Sequence, residues 1–234
     1  MRIVTNYKLI KRNRKIGQIT TIASLVVLVI GLIISFTPDP EMFMWSFVAL
    51  IGGFMLSQVG IFFGNRWGRS PRSDERLVQA LKGLDDKYTL YNHITAVPHL
   101  LVGPAGIWAL CTFPQTGTII YDEDKDRWKQ QGSNWYMKLF AQEGLGKPEQ
   151  EVRVTLTDIQ SYLDKQASIE DLPTAQAAMV FTNPKTVVQA ANASIPTLHI
   201  DKLKDFIRRQ SKESPANFDS IYQLLEILPP ESIG

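Results

Sequence analysis

Two runs without one charged residue, 16–36 and 42–63, stand close together near the start of a 234-residue chain. Each is about twenty residues, and at roughly 1.5 Å per residue a helix of that length reaches about 30 Å, the thickness of a bilayer core. Only Thr37-Pro38-Asp39-Pro40-Glu41 lies between them. The pair reads as a membrane hairpin, and the remainder of the chain reads as a domain tethered to a lipid surface. The expected organisation is a basic segment over 1–15, a hairpin over 16–69 with spans 16–36 and 42–63, and a domain over 70–234.

The formal charge of +2 conceals a division. Residues 1–69 carry +6 and the remainder −4, so the basic excess belongs to the hairpin. Arg2, Lys8, Lys11, Arg12, Arg14 and Lys15 precede the first run, and Arg66, Arg69 and Arg72 follow the second. The connecting loop holds only acids. Positive residues stay on the cytoplasmic side, which predicts a two-pass protein of the cell membrane with both ends cytoplasmic. Trp45 and Trp67, at opposite ends of the second run, fit interfacial anchors. A signal peptide competes for the first run. That run is long for one, no small-x-small cleavage site follows it, and a second run comes at once. The single Cys111 excludes an intrachain disulfide.

Small residues recur at helical spacing in both runs: Gly17, Thr21, Ser24 and Gly31 in the first, Gly53, Ser57, Gly60 and Gly64 in the second. Such faces let membrane helices approach closely. They serve packing within the hairpin, or self-association. No ionisable residue lies inside either run, which argues against a pump, an ion path or a proton relay.

Past the hairpin the pattern alternates. A helix is expected over 74–84, on the stripe Leu77, Val78, Leu81 and Leu84. Strands are expected over 88–93, 99–102, 107–113 and 116–121, the last continuing the same sheet. A polar connection is expected over 122–147, including Trp128, Trp135 and Tyr136. Pro148 opens a helix that buries Val152, Leu156, Ile159 and Leu163. Strands 177–181 and 196–200 follow, then a helix capped by Asp201 and a last one over 217–228. This is a mixed α/β, or α+β, domain built on one sheet.

The stretch from Asp74 to Trp128 carries a resemblance. Asp74-Glu75-Arg76-Leu77-Val78 opens it, followed by Tyr91-Asn92-His93-Ile94 and then Pro98-His99-Leu100-Leu101-Val102-Gly103-Pro104-Ala105-Gly106-Ile107-Trp108. Gly117 and Trp128 continue it, with Pro148-Glu149-Gln150 and Ala178-Met179-Val180-Phe181-Thr182 later. In order and spacing these pieces resemble the nuclease-related domain (NERD) family, a branch of the restriction-endonuclease-like fold. The resemblance implies a carboxylate on one strand and a Glu-x-Lys pair on the next, holding a divalent metal that activates water. Those positions fall on Pro98, Cys111 and Phe113. An imino acid, a thiol and a phenyl ring replace hard oxygen donors and a cation. Glu75 alone keeps an acid where the family has one. The resemblance therefore implies a degenerate member, a pseudoenzyme with no catalytic residue and no cofactor.

Other chemistry is sparse. Asp122, Glu123, Asp124 and Asp126 read as a solvated turn. With Glu75, the first three give the only alternative set for a metal such as Mg2+. His93, His99 and His199 have no partner at zinc-site spacing. Cys111 sits in an apolar run and reads as a small core residue. Gly103-Pro104-Ala105-Gly106 lacks the Lys-Ser/Thr ending of a phosphate loop and reads as a hairpin turn. Lys202, Lys204, Arg208, Arg209 and Lys212 make a local basic face. A domain at −4 lacks the broad positive field of a nonspecific DNA binder, so charge does not favour nucleic acid.

Three functions are left open. The first is a membrane-anchored, inactive nuclease-like domain acting in binding or scaffolding, with the bilayer and an unknown protein or a second copy as partners. The second is a metal-dependent nuclease with a rearranged site. The third is a structural membrane protein with no ligand.

Overall fold

The computed structural model describes residues 1–132, 144–166, 169 and 172–234. The expected aromatic pair Trp135 and Tyr136 lies outside these residues. The chain forms two compact units. One holds Lys8–Arg72; the other holds Met1–Tyr7 together with the described residues from Ser73 onward.

The first unit is built from two helices, α1 (Tyr7–Ser35) and α2 (Pro40–Phe63). Both are long and apolar enough to cross a membrane. Asp39 caps α2: its side chain accepts from the Glu41 N–H at 2.9 Å, with Pro40 in the first turn, where no N–H is needed. Ile10, Asn13, Gly17, Ser24 and Gly31 are the buried residues of α1, and Ser46, Gly53 and Gly60 those of α2. Their spacing follows a repeat of about three and a half residues, that of two helices wound into a left-handed seam. The seam is close. A Cβ on Gly60 would lie 2.5 Å from Thr21 Oγ1 and 3.1 Å from the Thr21 nitrogen, and one on Gly53 would lie 2.7 Å from Leu28 Cγ. Gly17, Gly31, Gly53 and Gly60 are thus used by packing within the hairpin, whereas a Cβ on Gly64 would meet nothing within 4 Å. The large residues point outward: Leu25, Ile33, Phe43 and Met55 are each more than 60 % exposed. Trp45 is exposed, as an anchor requires. Trp67 is not; it is buried in the π-helical turn after α2.

The second unit is a mixed α/β domain with two sheets. The main sheet holds β1 (Arg2–Thr5), β2 (Thr89–Asn92), β3 (His99–Gly103), β4 (Gly106–Phe113), β7 (Gln176–Phe181) and β9 (Thr197–His199), in the order β1-β2-β3-β4-β7-β9. All run in one direction except β3, which is antiparallel to both neighbours. A smaller sheet holds β5 (Gly117–Asp122), β6 (Arg127–Gln131) and β8 (Thr186–Gln189), in the order β6-β5-β8. This corrects two expectations. β5 does not continue the first sheet: Pro114 interrupts the ladder after Phe113, and Gly117 turns the chain at φ +90°. The polar stretch after it is not all connection, because residues 127–131 pair with β5.

Period-two alternation in β4 and β7 feeds two cores. Ile107, Ala109, Phe113, Ala177, Met179 and Phe181 face α4 (Pro148–Gln166) and α6 (Phe218–Ile227). Trp108, Leu110, Ala178 and Val180 face α3 (Ser73–Ala80) and α5 (Leu203–Glu213). The result is a sheet with helices on both faces. The Gly103-Pro104-Ala105-Gly106 turn joins β3 to β4 as expected, with Gly103 opposite Gly106 and Gly106 at φ +95°. Asp201 does not cap α5. A 3-10 turn over Ile200–Lys202 comes first, and the His199 imidazole accepts from the Asp201 N–H.

Candidate functional site

Because five of the six strands run the same way, their carboxyl ends meet at one end of the sheet. That end is where open parallel sheets place their ligands. Thr5 ends β1, Asn92 ends β2, Phe113 ends β4, Phe181 ends β7 and His199 ends β9; antiparallel β3 begins there with His99. All three histidines of the chain therefore lie at or beside this end.

Three of its side chains form a buried polar row across β1, β2 and β3. The Asn92 amide donates to Thr5 Oγ1 at 3.3 Å, and its carbonyl oxygen faces His99 Nδ1 at 2.9 Å. Thr5, Asn92 and His99 are each 3 % exposed or less. Pairing places Thr5 opposite Asn92 and Asn92 opposite His99, so all three share one face of the sheet. His93 packs edge-on against His99, with ring centroids 5.0 Å apart. It reaches this position through a left-handed backbone, φ +58°, which is uncommon outside glycine, and donates its N–H to the Pro98 carbonyl. On α3, Arg76 donates to the Thr182 carbonyl, and the Thr182 N–H reaches Phe113 O at 2.9 Å. His199 Nε2 lies 3.0 Å from Asn183 O.

The positions that the resemblance assigned to a metal lie on the other face. Leu100 pairs with Ala109, and continuing that register sets Pro98 level with Cys111. Cys111 neighbours Thr155 and Glu151 of α4; burial pushes its thiol up to about 11. Phe113 stacks on Phe181 with centroids 5.4 Å apart, inside the core. Phe113 is thus packed inside the larger core, while Cys111 and Pro98 are half-buried beside it. Glu75 is not with them. It lies on α3, which packs on the opposite face through Leu77.

The acidic cluster sits on the small sheet. Lys129 pairs with Asp122 and holds its carboxyl below the ordinary range. The Tyr121 hydroxyl donates to Asp126 at 2.6 Å, which pushes the phenol up to about 12. Asn192 donates to Glu123 at 2.8 Å, and the Trp128 indole donates to Glu149 at 2.9 Å. Each of these acids has its own neighbour. Among the described residues, no three His, Cys, Asp or Glu side chains gather as a metal site; Glu75 lies on α3, and Asp122, Glu123 and Asp124 lie on or beside the small sheet.

The basic face on α5 is also partly committed. Arg208 and Lys204 donate to the carbonyls of Gly83 and Lys82 just after α3, and Arg209 lies over the Phe206 ring. The chain thus sets Cys111 and Phe113 on one face of β4, and brings His93 to His99. It leaves Glu75 and the acidic turn elsewhere. The polar row was missed in the sequence because its three residues are 94 positions apart end to end. The one local signal is a polar Asn-His pair at the end of an apolar strand.

No family model, curated protein or solved structure matches the chain.

Proposed function

We propose that this is an integral membrane protein of two spans whose α/β domain plays a structural part at the lipid surface, without phosphodiester chemistry. The observation that carries the reading is the packing at the strand ends. Where a nuclease needs carboxylates and a lysine, Phe113 stacks on Phe181 and the half-buried Cys111 packs against the same core. The inside-out hairpin supports the membrane part, with glycines and serines inward and large apolar residues outward. The charge division supports cytoplasmic ends. The order α3-β2-β3-β4, then α4-β7 after the small-sheet strands β5 and β6, with β7 parallel to β4, supports descent from a nuclease-related domain that has lost its metal.

The test is plasmid cleavage by the full-length protein in detergent with Mg2+ or Mn2+. No cleavage above a metal-free control is expected. Metal-dependent cutting that disappears in Glu75→Ala would overturn the reading and favour a rearranged nuclease. Extraction of membranes at alkaline pH tests the spans: the protein is expected in the pellet.

One observation favours a second reading, in which the domain binds a protein partner. Phe218 and Tyr222 stack on the outer face of α6, each 56 % exposed, with the Lys87 ammonium 5.6 Å from the Phe218 ring. Exposed aromatic pairs of this kind are frequent anchors of interfaces. A photo-crosslinker at position 222 that gave no adduct in cells would remove it.

A further inference from the structure

The strand before the first long helix belongs to the sheet of the domain after the second. β1 pairs in parallel with β2 over four residues, Arg2 with Thr89 through Thr5 with Asn92. Its flanking backbone bonds are well formed: Arg2 N–H to Tyr88 O at 2.8 Å, Asn6 N–H to Asn92 O at 3.1 Å. Val4 is 1 % exposed and joins the core on the α4 and α6 face, beside Tyr91. Thr5 takes one end of the buried polar row. Only Asn6 then separates β1 from α1.

We propose that the apolar hairpin is an insertion within a single fold, and that β1 works as a topology lock. The sheet closes only when residues 1–6 stand on the same side of the bilayer as the chain from Ser73 onward. The proposal rests on reading α1 and α2 as spans. A flipped first span, or cleavage after it, takes β1 away. The edge of β2 is then uncovered, and the Asn92 amide loses its buried acceptor. Unpaired buried polar groups and an open strand edge are both destabilising. The basic residues bias the hairpin toward one orientation, whereas the strand makes folding depend on it. Sequence separation adds an order of events. β1 is made before the hairpin, but its partner begins at Thr89, so it waits until both helices have been synthesised. Domain completion is thereby a checkpoint that reports a correctly inserted hairpin.

The test uses full-length protein in membrane vesicles. Replacing residues 2–6 by Gly-Ser-Gly-Ser-Gly should leave the protein in the pellet after alkaline extraction, while the protease half-life of the domain falls about tenfold or more. An eight-residue Gly-Ser insertion between Asn6 and Tyr7 should keep the parental half-life, because the strand is still present. A double variant, Thr5→Cys with Asn92→Cys in a Cys111→Ala background, should form a disulfide within one chain on mild oxidation. A replaced strand with unchanged protease resistance, or a disulfide that forms only between chains, would overturn the lock. Release of the parent protein by alkaline extraction would instead refute the spans, with the strand result left standing.

Discussion

Nδ1 of His99 lies 2.9 Å from the carbonyl oxygen of Asn92, and the amide nitrogen of the same Asn92 lies 3.3 Å from the Thr5 hydroxyl. The asparagine is thus a two-sided connector between a strand before the hairpin and a strand after it. Asn92→Leu keeps the bulk and removes both contacts. It should cost about 1–3 kcal/mol, the penalty of leaving a buried donor without a partner. Chemical denaturation of parent and variant in detergent measures this. Identical midpoints would mean that the row contributes nothing to stability.

Phe113 gives a second expectation. It is 3 % exposed and stacked on Phe181, so truncation opens a cavity in the larger core. Phe113→Ala should destabilise the domain by about 3–5 kcal/mol. Cys111→Glu with Phe113→Lys, which installs the residue types that the resemblance implies, should not yield a metal-dependent enzyme. The two charges would enter an apolar layer with Glu75 on the far face. Plasmid cleavage by that double variant is the result to look for against this reading.

In the hairpin, two glycines of the same helix should behave differently. A side chain at Gly60 meets Thr21 within 2.5 Å, whereas one at Gly52 meets nothing within 4 Å. Gly60→Val is expected to weaken the helix pair by about 1–3 kcal/mol, and Gly52→Val to leave it unchanged. A disulfide reporter between the two helices reads both variants. Equal reporter yields in the two would show that the tight seam does not hold the pair.

Cys111 supplies a pH dependence. Its thiol is pushed from an ordinary 9.0 to about 11 by burial. Between these values the unfolded chain releases a proton that the folded chain keeps, so stability falls as pH rises through that window. Cys111→Ala should flatten this part of the profile. Alkylation of the native thiol should still be rising at about pH 10, where an ordinary thiol has levelled off. A plateau near the ordinary value of 9.0 would contradict the buried placement.

Much of the fold was legible because long periodic segments leave strong signals. The helix opened by Pro148, the apolar strand through Trp108 and the hairpin turn at Gly103-Pro104-Ala105-Gly106 lie where the pattern places them. What escaped the sequence was short or remote. Four residues over Arg2–Thr5 carry no periodicity, and their basic neighbours suggested only a tail; pairing with a strand 87 positions away makes them a sheet edge. Residues 186–189 were missed for the same reason, since Val187 is exposed and the strand is short. At the candidate site, Cys111 and Phe113, two of the positions singled out by the resemblance, fall two residues apart on β4, on the face of the larger core. The placement of Glu75 across the sheet was not legible, because residue spacing along a chain does not say which face a helix will cover. The imidazole pair was hidden too, since its proximity depends on the left-handed turn at His93.

The outer rim of β1 is dressed by the end of the chain. The Ile233 N–H reaches Thr5 O at 3.0 Å, the Thr5 N–H reaches the Ser232 hydroxyl at 2.9 Å, and Arg2 bonds to the Pro230 carbonyl. A bare strand there would be a template for neighbouring molecules. Residues 230–233 cover that rim, so a molecule approaching it meets backbone groups already bonded rather than an open row of donors and acceptors.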